Sequence, residues 1–328
     1  MYNLNEIDSY LKACLNENNL NCLSVCVSKK GQMLFDTYIS DTNNKEYSDF
    51  NEYKQLNSGA IAEIVIGILI IKLMEEGKLS SEDYVKTFIP EFKYENVKII
   101  HLLTHTSGIK VADIDFSGIN SQKMMLEAIY AQEKQNENIG MYCEYPFGYL
   151  ILIDIIQRLT KTDIETYASN IIFEPLSLRR TTFDIENSAL NNMILPEDIK
   201  TSKFVATGGM FSTAEELVKI GNLFVNYTKR GKEDILSKYG FNFALTPGFY
   251  DIEKKYPMTP IFSYKNTIDN YSFFGDFSSC NTFGRCGYTN CILSVDLDND
   301  IVISIMSNKV NDNYIFYKKI INKIMASL

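Results

Sequence analysis

Leu56-Asn57-Ser58-Gly59-Ala60-Ile61-Ala62-Glu63 runs directly into the apolar segment 64–74, which stops at Glu75-Glu76-Gly77-Lys78-Leu79. The apolar segment is Ile, Val, Leu and Met apart from Gly67 and Lys72, so it reads as a helix buried on every side. Its run is well short of the ~20 residues a membrane-spanning helix needs. The residues before it open that helix, where backbone N–H groups and the helix dipole can stabilise a developing negative charge. Two later stretches complete the pattern: His101-Leu102-Leu103-Thr104-His105-Thr106-Ser107-Gly108 and Gly208-Gly209-Met210-Phe211-Ser212-Thr213-Ala214-Glu215-Glu216-Leu217.

In combination these segments resemble the serine β-lactamase and penicillin-binding-protein-like family of acyl-serine hydrolases, in particular its class C β-lactamase-related members. The resemblance covers most of residues 52–308. It implies a Ser followed three residues later by a Lys, because the i, i+3 spacing puts nucleophile and base on one face of a helix start. Counting back without a gap from Glu75-Glu76-Gly77-Lys78-Leu79 places that Ser at Ala60 and that Lys at Glu63. Both functional groups are therefore absent at the positions the resemblance assigns. Ser58 is the alternative nucleophile, but its i+3 partner is Ile61, which leaves no base on that turn. It reads as a turn or cap hydroxyl.

The resemblance implies two more elements. The first is a Tyr-x-Asn, found in the region Gly140-Met141-Tyr142-Cys143-Glu144-Tyr145-Pro146-Phe147-Gly148-Tyr149. Registering on Gly140 puts Tyr145 at the Tyr and Phe147 at the Asn; registering on Tyr149 puts Glu144 at the Tyr position. The second is a Lys or His followed two residues later by Gly on a strand lining the cleft, here Arg285 and Gly287 in Gly284-Arg285-Cys286-Gly287-Tyr288-Thr289. An Arg there can still hold a carboxylate in a bidentate contact. Charge is thus exchanged across the site, and the expected outcome is an ion pair between Glu63 and Arg285 filling the former cleft.

The rest of the chain is consistent with that scaffold. Residues 5–15 have helical apolar spacing, and 23–27, the Lys29-Lys30-Gly31 turn and 33–39 read as a β-hairpin. A second hairpin follows at 291–297, Asp298-Asn299-Asp300 and 301–307, and the region 313–328 reads as a closing helix. Strands at both chain ends with helices between them predict an α/β (α+β) fold: one antiparallel sheet built from both ends, flanked by helices, with an inserted helical lobe. The expected division is a single β-lactamase-like domain over 1–328, with a sheet lobe at about 1–55 and 205–328 and a helical lobe at about 56–204. Helices are expected at 151–159 and 165–172, ending at Glu174-Pro175, and at Thr213-Ala214-Glu215-Glu216 a capped start. The turn Glu174-Pro175-Leu176-Ser177-Leu178 carries Ser177 where Gly is usual in the family. The segment 110–142 reads as a polar, partly helical flap near the cleft.

Composition limits the function classes. A chain of 328 residues with 45% apolar residues is long enough for a substantial core, and a net charge of −9 with scattered Lys and Arg argues against nucleic acid or an anionic membrane as partner. Seven cysteines at irregular spacings suit reduced thiols, and the first residues carry no export signal, so the cytoplasm is the expected location unless a leader has been removed. No cofactor or metal is expected. The two histidines, His101 and His105, lie at i, i+4 without the acid of a metalloprotease helix. Cys286 next to Arg285 could be an activated thiol, but an ordinary strand Cys is the better reading. The leading functional expectation is a catalytically inactive member that keeps its cleft as a binding or scaffolding surface for a small molecule, a peptide or a protein partner. The alternatives are a repurposed hydrolase or acyl-transfer enzyme with Glu63 as general base on a water, and a partner subunit docking through its flap.

Overall fold

Cys22–Lys29 (β1) alternates its side chains between two separate apolar clusters, and this is what sets the architecture. Cys22 and Cys26 enter one cluster, while Leu23, Val25 and Val27 enter the other. A strand buried on both faces must be covered by helices on both sides. In the computed structural model, the described residues are 4–45, 47–109, 121–131, 139–140, 147–184, 193–194, 209–227, 235–250, 257–265, 273–287, 291–308 and 314–328. The first helix is α1 (Leu4–Glu17), and β1 is followed by β2 (Gln32–Ser40) across a two-residue turn. Lys30 and Gly31 both have positive φ (56° and 78°), the backbone twist that joins adjacent antiparallel strands tightly.

The chain then runs through β3 (Gln55–Asn57), a 3₁₀ turn (Gly59–Ile61), α2 (Ala62–Glu75), α3 (Val85–Phe88), α4 (Ile99–Leu103), α5 (Gln122–Ala131), α6 (Gly148–Thr160) and α7 (Ile164–Ala168). It continues with β4 (Met193–Ile194), β5 (Phe211–Ser212), α8 (Ala214–Asn226), α9 (Lys238–Leu245), β6 (Phe249–Tyr250), β7 (Pro257–Met258) and β8 (Ser263–Tyr264). The last elements are β9 (Thr282–Gly287), β10 (Cys291–Asp296), β11 (Ile301–Ser307) and α10 (Tyr314–Ser327). Among the described residues eight strands form one sheet in the order β2-β1-β11-β10-β9-β8-β7-β6, and each pairing is antiparallel. The N-terminal hairpin meets the C-terminal one through β1 and β11, with Val25 opposite Ile305. The sheet is thus assembled from both chain ends, as expected. A smaller sheet, β4-β3-β5, lies at the entry to α2.

The outer face of the large sheet buries Val25, Ile303 and Ile305 against Ile7 and Leu11 of α1 and Ile320 and Ile324 of α10. Its inner face packs against α8, where Val302, Val295 and Leu293 close around Gly221, and the same cluster continues into α2 and α6. In α2, Ile64, Val65, Ile66, Ile68, Leu69 and Ile70 are all fully buried, which accounts for its lack of a polar face. Among the described residues no helix is long and apolar enough to cross a membrane.

Two local features refine the expectations. Thr213 caps α8 by accepting from Glu216 N–H at 3.4 Å, as anticipated, but the Glu216 carboxylate does more than complement the helix dipole. It is buried and accepts from Arg179 N–H (2.8 Å), Arg180 N–H (3.0 Å) and Thr181 Oγ1 (2.7 Å), pinning the 179–181 segment. Upstream, Leu178 N–H donates to Phe173 O and Ser177 N–H to Glu174 O, a Schellman closure with Ser177 in the left-handed region at φ 56°. Glycine adopts that conformation without a Cβ penalty of ~1–2 kcal/mol, offset by its larger unfolded-state entropy of ~0.5–1 kcal/mol. Ser177→Gly is therefore expected to stabilise the protein by roughly 0.5–1 kcal/mol, read as a higher urea midpoint at unchanged slope; a lower midpoint would refute the strain argument.

Candidate functional site

The site is built where the smaller sheet delivers the chain into α2. Ser58 N–H and Ser58 Oγ both donate to Met210 O at 2.9 Å, and the side chain is fully buried. Ser58 stands at the N-cap position of the 3₁₀ turn, its carbonyl accepting from Ile61 N–H, so of the turn and cap readings only the side-chain cap is corrected: its hydroxyl ties the helix entry to Met210 O instead. Gly59 then takes φ 52°, and its N–H donates to Asn57 Oδ1 at 2.9 Å. This sharp turn places Ala60 directly behind β9. A Cβ on Gly287 would lie 2.8 Å from Ala60 N and 3.0 Å from Gly59 Cα, so only glycine lets strand and helix entry approach this closely.

Three residues further, on the first turn of α2, Glu63 is 1% exposed. Its Oε2 lies 3.1 Å from Arg285 Nη2 and 3.2 Å from His105 Nε2. The sequence-derived pairing of Glu63 with Arg285 is thus present, and His105 is a third member that sequence reasoning treated as scaffold. Arg285, 5% exposed on β9, also donates through Nε to Ile261 O at 3.2 Å and through Nη2 to Tyr149 Oη at 3.4 Å. Tyr149 Oη in turn donates to Leu103 O at 2.8 Å. Arg285 Nη2 and His105 Nε2 are 3.5 Å apart because both point at the same carboxylate oxygen.

Local backbone chemistry explains why His105 reaches this point. Thr106 N–H donates to His101 O and His105 N–H to Leu102 O, closing α4 with His105 at φ 55°. A left-handed residue turns its side chain out of the helix direction, and here it turns into the protein beside the Tyr149 ring, 5.4 Å between centroids. His101, four residues earlier, instead accepts Lys98 N–H through Nδ1 at 3.1 Å, so the two histidines serve different contacts.

Burial alone would push the Glu63 carboxyl up, but the Arg285 guanidinium and then His105 outweigh it and hold the group below the ordinary glutamate value. Burial raises the Tyr149 phenol, which stays protonated as a donor. A carboxylate held ionised with Oε2 already shared by two donors is a poor proton acceptor, since an efficient general base has a pKa near the working pH.

Phe147 immediately precedes α6 and is buried among the inner-core side chains. Tyr145 and the alternative Glu144 lie outside the described residues, as do Gly208 and most of the 110–142 segment; within the latter the helix spans Gln122–Ala131. Cys286 follows Arg285 on β9 and packs toward the outer cluster, on the opposite face from the site, so strand alternation excludes a contact-based activation by Arg285. Six described cysteines are free thiols. Tyr149 and Ile261 had no sequence signal as site residues, because their roles depend on which face of α6 and which turn meet Arg285.

Comparison with known proteins places this geometry in context. The Beta-lactamase family model matches residues 7–319. A putative penicillin-binding protein, PbpX of Bacillus subtilis (strain 168), is 22% identical over 307 residues, covering 87% of this chain and 73% of the relative. A putative D-alanyl-D-alanine carboxypeptidase of Salmonella agona (strain SL483) is 21% identical over 303 residues, and the match spans 73% of this chain but only 65% of that protein. Among solved structures, EstCE1, described as a hydrolase with promiscuous acyltransferase activity, superposes with a TM-score of 0.79 at 14% identity, covering 97% of both chains.

Proposed function

The chain belongs to the β-lactamase family, and we propose on that premise that it is a member without acyl-serine chemistry, a binding or scaffolding protein rather than a hydrolase. The same reading takes residues 1–328 as one domain, with sheet and helical lobes meeting at the site. Ala60 stands at the nucleophile position and offers a methyl group, which can form no acyl bond. Glu63 stands at the position of the base. The observation that carries the proposal is the closed Glu63–Arg285–His105 contact, in which the two donors converge within 3.2 Å of one carboxylate oxygen. On the Gly140 register, Phe147 takes the substrate-amide position, and its buried ring is apolar where a polar group would be needed.

The general-base alternative requires Glu63 to leave both partners and to gain proton affinity, whereas Arg285 and His105 lower it. Binding of a small-molecule or peptide ligand would use surfaces around the closed cluster, not the cluster itself. The test is turnover of activated esters, D-amino-acid amides and a chromogenic β-lactam by the native chain and by Glu63→Gln, with intact mass recorded after each incubation. The expected result is no turnover and no adduct in either protein. Turnover by the native chain that Glu63→Gln abolishes would overturn the proposal in favour of a water-based hydrolase; a mass adduct would overturn it in favour of a displaced nucleophile.

A further inference from the structure

The geometry points to a second property of the same cluster: we propose that Arg285 and His105 form a cradle for a carboxylate, and that Glu63 is a built-in ligand occupying it. The inference rests on the foregoing reading only in taking Glu63 out of any acylating step. The donors come from two distant elements, β9 and the turn after α4, and neither belongs to the helix that supplies the acceptor. Each is oriented by contacts that do not involve Glu63. Arg285 is held through Nε by Ile261 O and through Nη2 by Tyr149 Oη, which is itself anchored to Leu103 O. His105 is set by the left-handed closure of α4 and lies beside the Tyr149 ring. Donors positioned independently of their acceptor are a preorganised anion site.

Two consequences follow. In the native chain an external carboxylate must compete with one tethered within the cradle, at an effective concentration that free solutes do not match. Ligands of the native cleft therefore do not present a carboxylate to Arg285. In Glu63→Ala, by contrast, the missing atoms are a methylene and a carboxylate, the size of acetate. Formate and acetate fit that space and restore the opposite charge beside a buried guanidinium; butyrate is too long.

The experiment is thermal unfolding at pH 7 of the native chain, Glu63→Ala and Glu63→Ala/Arg285→Met in sodium formate, acetate and butyrate, each against sodium chloride at matched ionic strength. The expected result is a concentration-dependent rise in Tm for Glu63→Ala in formate and acetate, about 3 °C or more above the chloride control near saturation. Butyrate, the native chain and the double variant should show no rise beyond chloride. A Glu63→Ala response equal to that in chloride, or a rise of the same size in the native chain, would overturn the proposal. Should Glu63→Ala not fold by itself, its refolding yield in acetate against chloride decides in the same sense: a higher yield supports the cradle and an equal one removes it. The turnover assay above is indifferent to this outcome, so each reading can fail alone.

Discussion

Arg285→Met is expected to destabilise the protein by about 3–5 kcal/mol, because it leaves the fully buried Glu63 carboxylate without its cationic partner. Adding Glu63→Gln to that variant should recover most of the loss. The amide keeps an oxygen for His105 Nε2 but carries no charge, and a buried ion pair replaced on both sides by neutral groups is often close to neutral in stability. The measurement is urea unfolding of the native chain, both single variants and the double, read as an interaction energy. A favourable coupling of about 2 kcal/mol or more is expected, and additive single effects would show that the 3.1 Å contact contributes little. The cycle also has a pH signature. The folded-state pKa of Glu63 lies below its ordinary value of 4.5, so its contribution is fully present above that value and is lost as pH falls toward the folded-state value. Acidification below about pH 4.5 should accordingly cost the native chain more than it costs Glu63→Gln/Arg285→Met.

The pairing behind that cycle could be anticipated from residue type and register alone. Glu63 sits three residues after Ala60, Arg285 two before Gly287, and opposite charges at facing positions of a known scaffold imply a contact. The two hairpins were equally legible, since β-branched runs around Lys30-Gly31 and around residues 298–300 admit few other pairings. His105 was not legible as a member of the cluster. Its role depends on a left-handed φ at the end of a five-residue helix, uncommon for any residue but glycine and announced by no periodicity. Tyr149 was hidden for another reason. Helical spacing shows that it lies on a buried face of α6, but that its hydroxyl meets Arg285 of β9 depends on the tertiary fold. Ser58 shows a different limit: the preference of serine for turns and helix starts put it at the helix entry, where it stands, but the nearby Met210 carbonyl rather than a helix N–H engages its hydroxyl.

Gly284→Ala is expected to be as damaging as any change at the charged cluster, although it adds one methyl group. Gly284 lies on β9 between Ser294 of β10 and Ser263 of β8, and a Cβ there would stand 1.9 Å from Leu293 O and 2.9 Å from Leu293 C. Those are backbone atoms of the adjacent strand, which cannot rotate away as a side-chain terminus could. Relief requires β9 to separate from β10, and on the third side the ring of Phe274 already lies 3.2 Å from the same position. Overpacking of a close-packed interior costs about 1–3 kcal/mol where neighbours can shift, so a loss of about 3 kcal/mol or more is expected here. Arg285 is the next residue, and a displaced β9 would carry its guanidinium away from Glu63, adding to the loss. Gly248→Ala is the matched control. Among the described residues, its chain neighbours apart, nothing lies within 4 Å of its added Cβ, the position is exposed, and its effect should stay within about 0.5 kcal/mol. The comparison is made by urea midpoint and by the acid sensitivity described above. If Gly284→Ala unfolds within 1 kcal/mol of the native chain and keeps the native acid response, β9 is not held rigidly between its neighbours, and the argument that the strand positions Arg285 against Glu63 fails with it.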